Sequence, residues 1–258
     1  MTNNDLPTSS IQKALEIINC FNIKNPSLSL DDMILKLNVP KTTVFRTLTQ
    51  LEDYGYIKKI IVHGKSQYSL GYAFLEKGQL VKSNLDIREL ARSEMIHIRN
   101  ETNLTVQLAI RENSEAVYIE QFESWRPIRL YPTIGKKAPL YVAACPRVLL
   151  AYAEMEEQKY LINNFEYKSF TKHTPTNPDM IKEIIIEIRK NGFSISKGEL
   201  FEGTIGIAVP IFNNITKEVI ASISIVGIES DFEHELSKYI NILKTSSLKI
   251  SDKIKSNI

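Results

Sequence analysis

Thr42, Arg46, Thr49 and Asp53 recur at a spacing that puts them on one side of a helix, opposite Val44, Leu48 and Leu51. Hydroxyls and a guanidinium on such a face reach phosphates and base edges, the chemistry of a major-groove recognition helix. Residues 41–65 carry five cations (Lys41, Arg46, Lys58, Lys59, Lys65) against two anions (Glu52, Asp53), which suits phosphate contact; on charge alone a solvated face is the simpler reading. A second group lies in residues 219–227, where period-two alternation sets Ser222 and Ser224 on a face with Ile220 and Val226. Val219, Ala221, Ile223 and Ile225 then take the other face. Buried hydroxyls need partners, either a ligand carboxylate or carbonyl or a neighbouring backbone group.

Other chemistries lack residues. Cys20 and Cys145 stand far apart and give neither a disulfide framework nor a metal spacing. Cys145 near a helix start reads as a reactive thiol or, more simply, as a small buried hydrophobe. His63, His97, His173 and His234 have no histidine partner one turn away, so no metal is expected. Gly135-Lys136-Lys137 is not a phosphate loop, because Leu130 stands where glycine is needed and Lys137 where Ser or Thr is needed. With no nucleophile elbow and no dinucleotide fingerprint, no catalytic residue and no cofactor is expected.

These groups must be positioned by a chain of 258 residues, 43% apolar and 24% charged, with ten Gly and ten Pro, long enough for two globular units. Residues 1–80 hold nine cations and seven anions, and the remainder holds 23 of each, so the net charge of +2 sits in the N-terminal third. The longest apolar stretch, residues 219–227, is far too short for a membrane span, and residues 1–10 do not read as a targeting segment. The cytoplasm is the expected compartment.

Apolar residues Ile11, Ala14, Leu15, Ile18 and Phe21 predict a helix over residues 10–21, capped by Ser9 or Ser10. Ser29 caps a second helix with Asp31 and Asp32 in its first turn and a core face of Leu30, Ile34 and Leu37. After Asn38-Val39-Pro40 a third helix starts with Pro40 in its first turn and runs to Asp53, with Gly55 as its stop. Residues 56–62 and 67–70 alternate as strands around His63-Gly64-Lys65-Ser66, a hairpin with a cationic tip. Beyond a helical stretch at 72–83 and another helix to about residue 99, strands are predicted at 104–111, 116–122 and 128–131. Helices follow near 146–154, 155–163 and 179–191, then strands at 204–212 and 218–227, and a last helix from about 231. The pattern is α+β: residues 1–79 read as a winged helix-turn-helix with a linker helix or, on pattern alone, as three ordinary core helices and a hairpin, and residues 80–258 set helices beside an antiparallel sheet.

Several segments together resemble the isocitrate lyase regulator (IclR) family of bacterial transcription factors. They are residues 28–37, 37–48 (LNVPKTTVFRTL), 55–57 and 68–71, then 85–88, 102–109, 117–120 with Glu123-Ser124, 135–140, and the Glu199, Gly203, Gly206 pattern through Ile211. The resemblance covers nearly the whole chain. It implies a GAF-like C-terminal domain that binds a small effector, and a dimer able to pair into a tetramer. DNA contacts then fall on Lys41, Thr42, Thr43, Phe45, Arg46 and Thr49, with Lys65 and Ser66 on the wing. The effector site falls on Ala143, Ala144, Cys145, Ser196, Glu199, Gly206, Ser222 and Ser224. The chain departs from the family where Tyr141 replaces a frequent histidine and Pro146-Arg147 the usual Gly-Lys. Ser196 also replaces an acidic residue and Gly206 a cysteine, which implies a larger pocket and a bulkier organic acid or aromatic effector than a small oxoacid. Glu199 is either a ligand contact or an anchor for its loop.

The expected function is a ligand-responsive, DNA-binding regulator, a repressor of a small-molecule catabolic or transport operon, acting on a near-palindromic duplex operator. Two other classes remain open at this point: a small-molecule enzyme with an accessory winged helix, and a module that docks a partner protein.

Overall fold

The computed structural model describes residues 9–83, 86–125 and 132–254. The chain forms two compact units, Met1–Asn84 and Leu85–Ile258.

The first unit starts with α1 (Ser10–Asn19), where the Ser9 hydroxyl accepts the Gln12 amide at 3.1 Å. The phase of this helix differs from the expectation. Ile17 and Phe21 enter the core, whereas Ile11 and Leu15 are 72% and 55% exposed. Apolar residues cover more than half of the helix circumference, so periodicity alone does not select the buried arc. A capping box holds α2 (Leu30–Leu37): Ser29 accepts the Asp32 amide at 3.2 Å and Asp32 accepts the Ser29 amide at 2.9 Å. Met33, fully buried, is its main core residue. Asn38 in the left-handed region ends α2, and α3 (Lys41–Asp53) follows with Pro40 at its cap, one position before the expected first turn.

A three-stranded sheet of β1 (Ser27–Leu28), β2 (Ile57–Val62) and β3 (Lys65–Leu70), in the order β1-β3-β2, closes the unit. The hairpin turn is only His63-Gly64, both at positive φ (49° and 75°), as a type I′ turn requires. Lys65 and Ser66 therefore begin β3 opposite Val62 and Ile61 and are not part of the loop tip. Gly71 allows a close crossing, since a methyl there would fall on the Gly55 carbonyl. The helix α4 (Ala73–Ser83) follows, with Phe74 packed edge-on to Tyr56.

In the second unit, α5 (Asp86–Thr102) leads to β4 (Thr105–Glu112) and β5 (Glu115–Phe122). The short β6 (Lys137–Pro139) precedes α6 (Ala144–Ala151), α7 (Met155–Asn164) and α8 (Pro178–Asn191). Then come β7 (Ser194–Lys197), β8 (Thr204–Phe212), β9 (Val219–Ile228) and α9 (Leu236–Ile254). The strand expected at 128–131 lies outside the described residues. The helix expected at 146–154 begins two residues earlier, and the last helix starts at Leu236 after a 3-10 turn over Glu229–Phe232.

The six strands form one antiparallel sheet in the order β6-β5-β4-β9-β8-β7. Its Val106, Leu108, Ile207, Ile223 and Ile225 side pack with Met95 and Ile98 of α5 and Leu243 and Ile250 of α9. The opposite face, with Ala109, Tyr118 and Ala208, packs with Val148 of α6 and Ile181, Ile185 and Ile188 of α8. A register shift at Ile211/Phe212 breaks the expected alternation at the start of β9. Val219 therefore packs on the α6 side and Ile220 on the α9 side, the reverse of strict period two.

Candidate nucleic-acid interface and ligand cavity

On α3, Val44 and Leu48 are fully buried, while Lys41, Thr42, Phe45, Arg46 and Thr49 face solvent and Thr43 is half-buried. The outward stripe therefore forms as expected, and Phe45 adds an aromatic ring that is 54% exposed. Thr49 donates its hydroxyl to the Phe45 carbonyl at 3.1 Å, leaving the oxygen lone pairs outward. No acidic residue stands in the first turn of α3 and no side chain caps it, so its amides stay compatible with phosphate. Lys65 and Ser66 are exposed at the end of the wing. Of the other cations in this stretch, Lys58 lies over the Tyr72 ring at 4.4 Å. Arg46, Thr42 and Thr43 also line a cleft of about 320 Å³ that reaches Ser10 and Lys13 of α1. Sequence reasoning missed Lys13, because nothing local ties α1 to α3.

In the second unit, six of the eight expected effector residues line one cavity: Ala143, Ala144, Cys145, Ser196, Gly206 and Ser224. Gln107, Tyr118, Thr204, Leu200 and Phe201 line it too and were not anticipated. No charged side chain is among its lining residues, so it offers hydroxyls, an amide and the uncapped start of α6. The volume is about 40 Å³, close to that of one water and smaller than the departures from the family suggested.

Ser222 and Glu199 do not line this cavity. Ser222 is fully buried and donates to the Val209 carbonyl at 3.3 Å, the backbone alternative weighed for strand hydroxyls. Glu199 accepts the Ala143 amide at 3.1 Å and pairs with Arg147 at 2.6 Å. Arg147 is 1% exposed and also donates to the Ile195 carbonyl at 2.6 Å. Glu199 thus holds the turn before α6, where Ala143 adopts φ 68°, ψ 168°, a conformation L residues rarely take. Buried Thr174 fixes the loop that carries Glu199, donating to the Glu199 carbonyl at 2.7 Å.

Cys145 is buried, and burial pushes its thiol up to about 11, opposite to the lowering expected of a reactive thiol at a helix start. Because only the thiolate reacts, Cys145 should resist a thiol-labelling reagent at pH 8 in the native protein and label after denaturation. Fast native labelling, assigned to Cys145 by peptide mapping, would contradict this burial.

Two family models match the chain. The IclR helix-turn-helix domain covers residues 10–60, and the model described as Bacterial transcriptional regulator IclR C-terminal covers residues 79–252. The HTH-type transcriptional regulator KipR of Bacillus subtilis is 36% identical over 246 residues, spanning 95% of this chain and 96% of that protein. KdgR of Escherichia coli, another HTH-type transcriptional regulator, is 30% identical over 245 residues, 94% of this chain and 91% of its own. Among solved structures, the Thermotoga maritima IclR matches with a TM-score of 0.79 at 30% identity, over 95% of this chain and 98% of that one. An IclR homolog from Microbacterium hydrocarbonoxydans, complexed with 4-hydroxybenzoate, shares the fold with a TM-score of 0.82 at 19% identity, over 96% and 100% of the two chains. With an exposed Thr/Arg recognition helix, a wing and a C-terminal unit built on one antiparallel sheet, the chain belongs to the IclR family of bacterial transcriptional regulators and is not an enzyme.

Proposed function

We propose that this regulator is a repressor of a small-molecule catabolic or transport operon, working in the cytoplasm and released or tightened on DNA by an organic acid or aromatic effector. The observation that carries the DNA half is the outward stripe of Thr42, Phe45, Arg46 and Thr49 beside Lys65 and Ser66. Thr42 and Arg46 contact bases or phosphates; Lys41 and Thr43 meet the backbone at the start of α3, and Lys65 and Ser66 touch it from the wing. A relative, the Transcriptional repressor IclR of Escherichia coli, 24% identical over 225 residues, supports the sign of regulation. Exposed Ile11 and Leu15 on α1, and Leu75 and Val81 on α4, supply the apolar surface that a homodimer covers. A dimer reads two half-sites of a near-palindrome about one helical turn apart. Pairing of dimers into tetramers is the larger assembly this reading allows.

The effector seat is the cavity around Ser224, with Ala143, Ala144, Cys145, Ser196 and Gly206, and the 4-hydroxybenzoate complex of the Microbacterium homolog supports an aromatic acid there. Glu199 acts on the effector through the turn it anchors, and Ser222 through the strand. Entry of a ring requires the lining to give way, because the cavity holds about 40 Å³. Thermal unfolding with 4-hydroxybenzoate and, separately, with pyruvate tests this. The aromatic acid should raise the unfolding temperature of wild type and not of Gly206→Leu, whose side chain would grow toward Ala144, whose Cβ lies 3.6 Å from the new Cβ position. Stabilisation by pyruvate alone would contradict the proposed effector class.

A further inference from the structure

We infer that Lys13 of α1, together with the hydroxyls of Thr42 and Thr43 of α3, forms a seat for one backbone phosphate of duplex DNA beside the recognition helix, leaving Arg46, which lines the same cleft, to the bases. The inference rests on the DNA reading above and adds to it a residue outside the helix-turn-helix itself. The cleft between α1 and α3 is lined by Ser10, Lys13, Thr42, Thr43, Arg46 and buried Thr47, together with Gln50. Two cations and several hydroxyls line it and no carboxylate does, the composition of a phosphate site and not of a cation or apolar site. Glu16, the acid one turn from Lys13, accepts the Gln12 side-chain amide at 3.1 Å.

The cleft flanks the outward stripe, because Thr42 and Arg46 belong to both. A duplex seated on that stripe brings its backbone over the cleft, whereas a free anion would find an open site of about 320 Å³ with nothing to enclose it. Lysine, a point charge on a flexible stem, suits such a contact and carries no base information.

The test compares wild type, Lys13→Gln and a charge control in the C-terminal unit, Lys182→Gln, by fluorescence anisotropy. Each is titrated with the duplex upstream of its own gene and with a random duplex of equal length, across a series of KCl concentrations. Lys13→Gln should weaken both duplexes by the same factor, leaving their ratio unchanged. Its log–log salt slope should fall by about 0.9 for each phosphate that is no longer neutralised, about 2 for a dimer. Lys182→Gln should match wild type. An unchanged slope, or a change in the ratio alone, would overturn the seat while leaving DNA binding intact. Thermal stabilisation by inorganic phosphate that Lys13→Gln abolishes, with no change in DNA slope, would assign the site to a free anion and also overturn it. Failure of wild type to prefer the upstream duplex would instead overturn the DNA reading on which the seat depends.

Discussion

Glu199→Ala is expected to destabilise the C-terminal unit by about 3–5 kcal/mol, the usual consequence of leaving one member of a buried ion pair alone. The partner left behind, Arg147, is 1% exposed, and its remaining acceptor is the Ile195 carbonyl at 2.6 Å. The Ala143 amide loses its acceptor in the same step, and with it the hydrogen bond that holds Ala143 at φ 68°. Urea unfolding followed by circular dichroism measures the effect. Arg147→Ala should cost about as much, and Arg147→Met combined with Glu199→Leu should recover part of the loss, because apolar replacement of both charges removes the desolvation penalty. A loss below about 1 kcal/mol for Glu199→Ala would mean that water reaches the pair and that the turn before α6 is held by something else.

Arg46→Ala is expected to weaken binding to the cognate upstream duplex by about 1–3 kcal/mol for each protomer on the DNA, with a much smaller change on random DNA. Arg46 is the only arginine on the outward stripe of α3, and a guanidinium fork is the commonest reader of guanine edges. A mobility-shift titration of both duplexes resolves the two effects. Equal weakening on both would reduce Arg46 to a phosphate contact and shift base reading to Thr42, Phe45 and Thr49.

The features legible in the sequence are those set by local chemistry. Ser9 and Ser29 cap their helices because a side-chain oxygen reaches an amide three residues on, and Asn38 and Gly55 end helices because they accept positive φ. The buried Val44–Leu48 stripe of α3 follows from spacing, so its outward face does too. The long strands β4, β5, β8 and β9 are likewise readable, whereas β6 and β7, of three and four residues, are too short to show a period. The phase of α1 differs from expectation because apolar residues occupy more of that helix than the core can accept.

The family resemblance located the cavity, and six of its residues converge there. Gln107 and Tyr118 lie in segments that carry the resemblance, 102–109 and 117–120, but only the sheet pairing brings them to the cavity: Gln107 opposes Ser224, and Tyr118 opposes Ala109. Arg147 and Glu199 are separated by 52 residues, and only the packed fold makes them partners. The division of roles between Ser222 and Ser224 was equally hidden, since alternation puts both on one face and cannot tell which one the cavity reaches.

Sequence-specific DNA binding is measured by the affinity of the wild-type protein for the duplex upstream of its own gene relative to a random duplex, by fluorescence anisotropy at a fixed salt concentration near physiological. A preference of at least about 1,000-fold is expected, the lower range for specific regulators, with a steep fall in both affinities as salt rises. Equal and weak binding to the two duplexes would contradict it, leaving the exposed face of α3 a basic surface that reads no sequence.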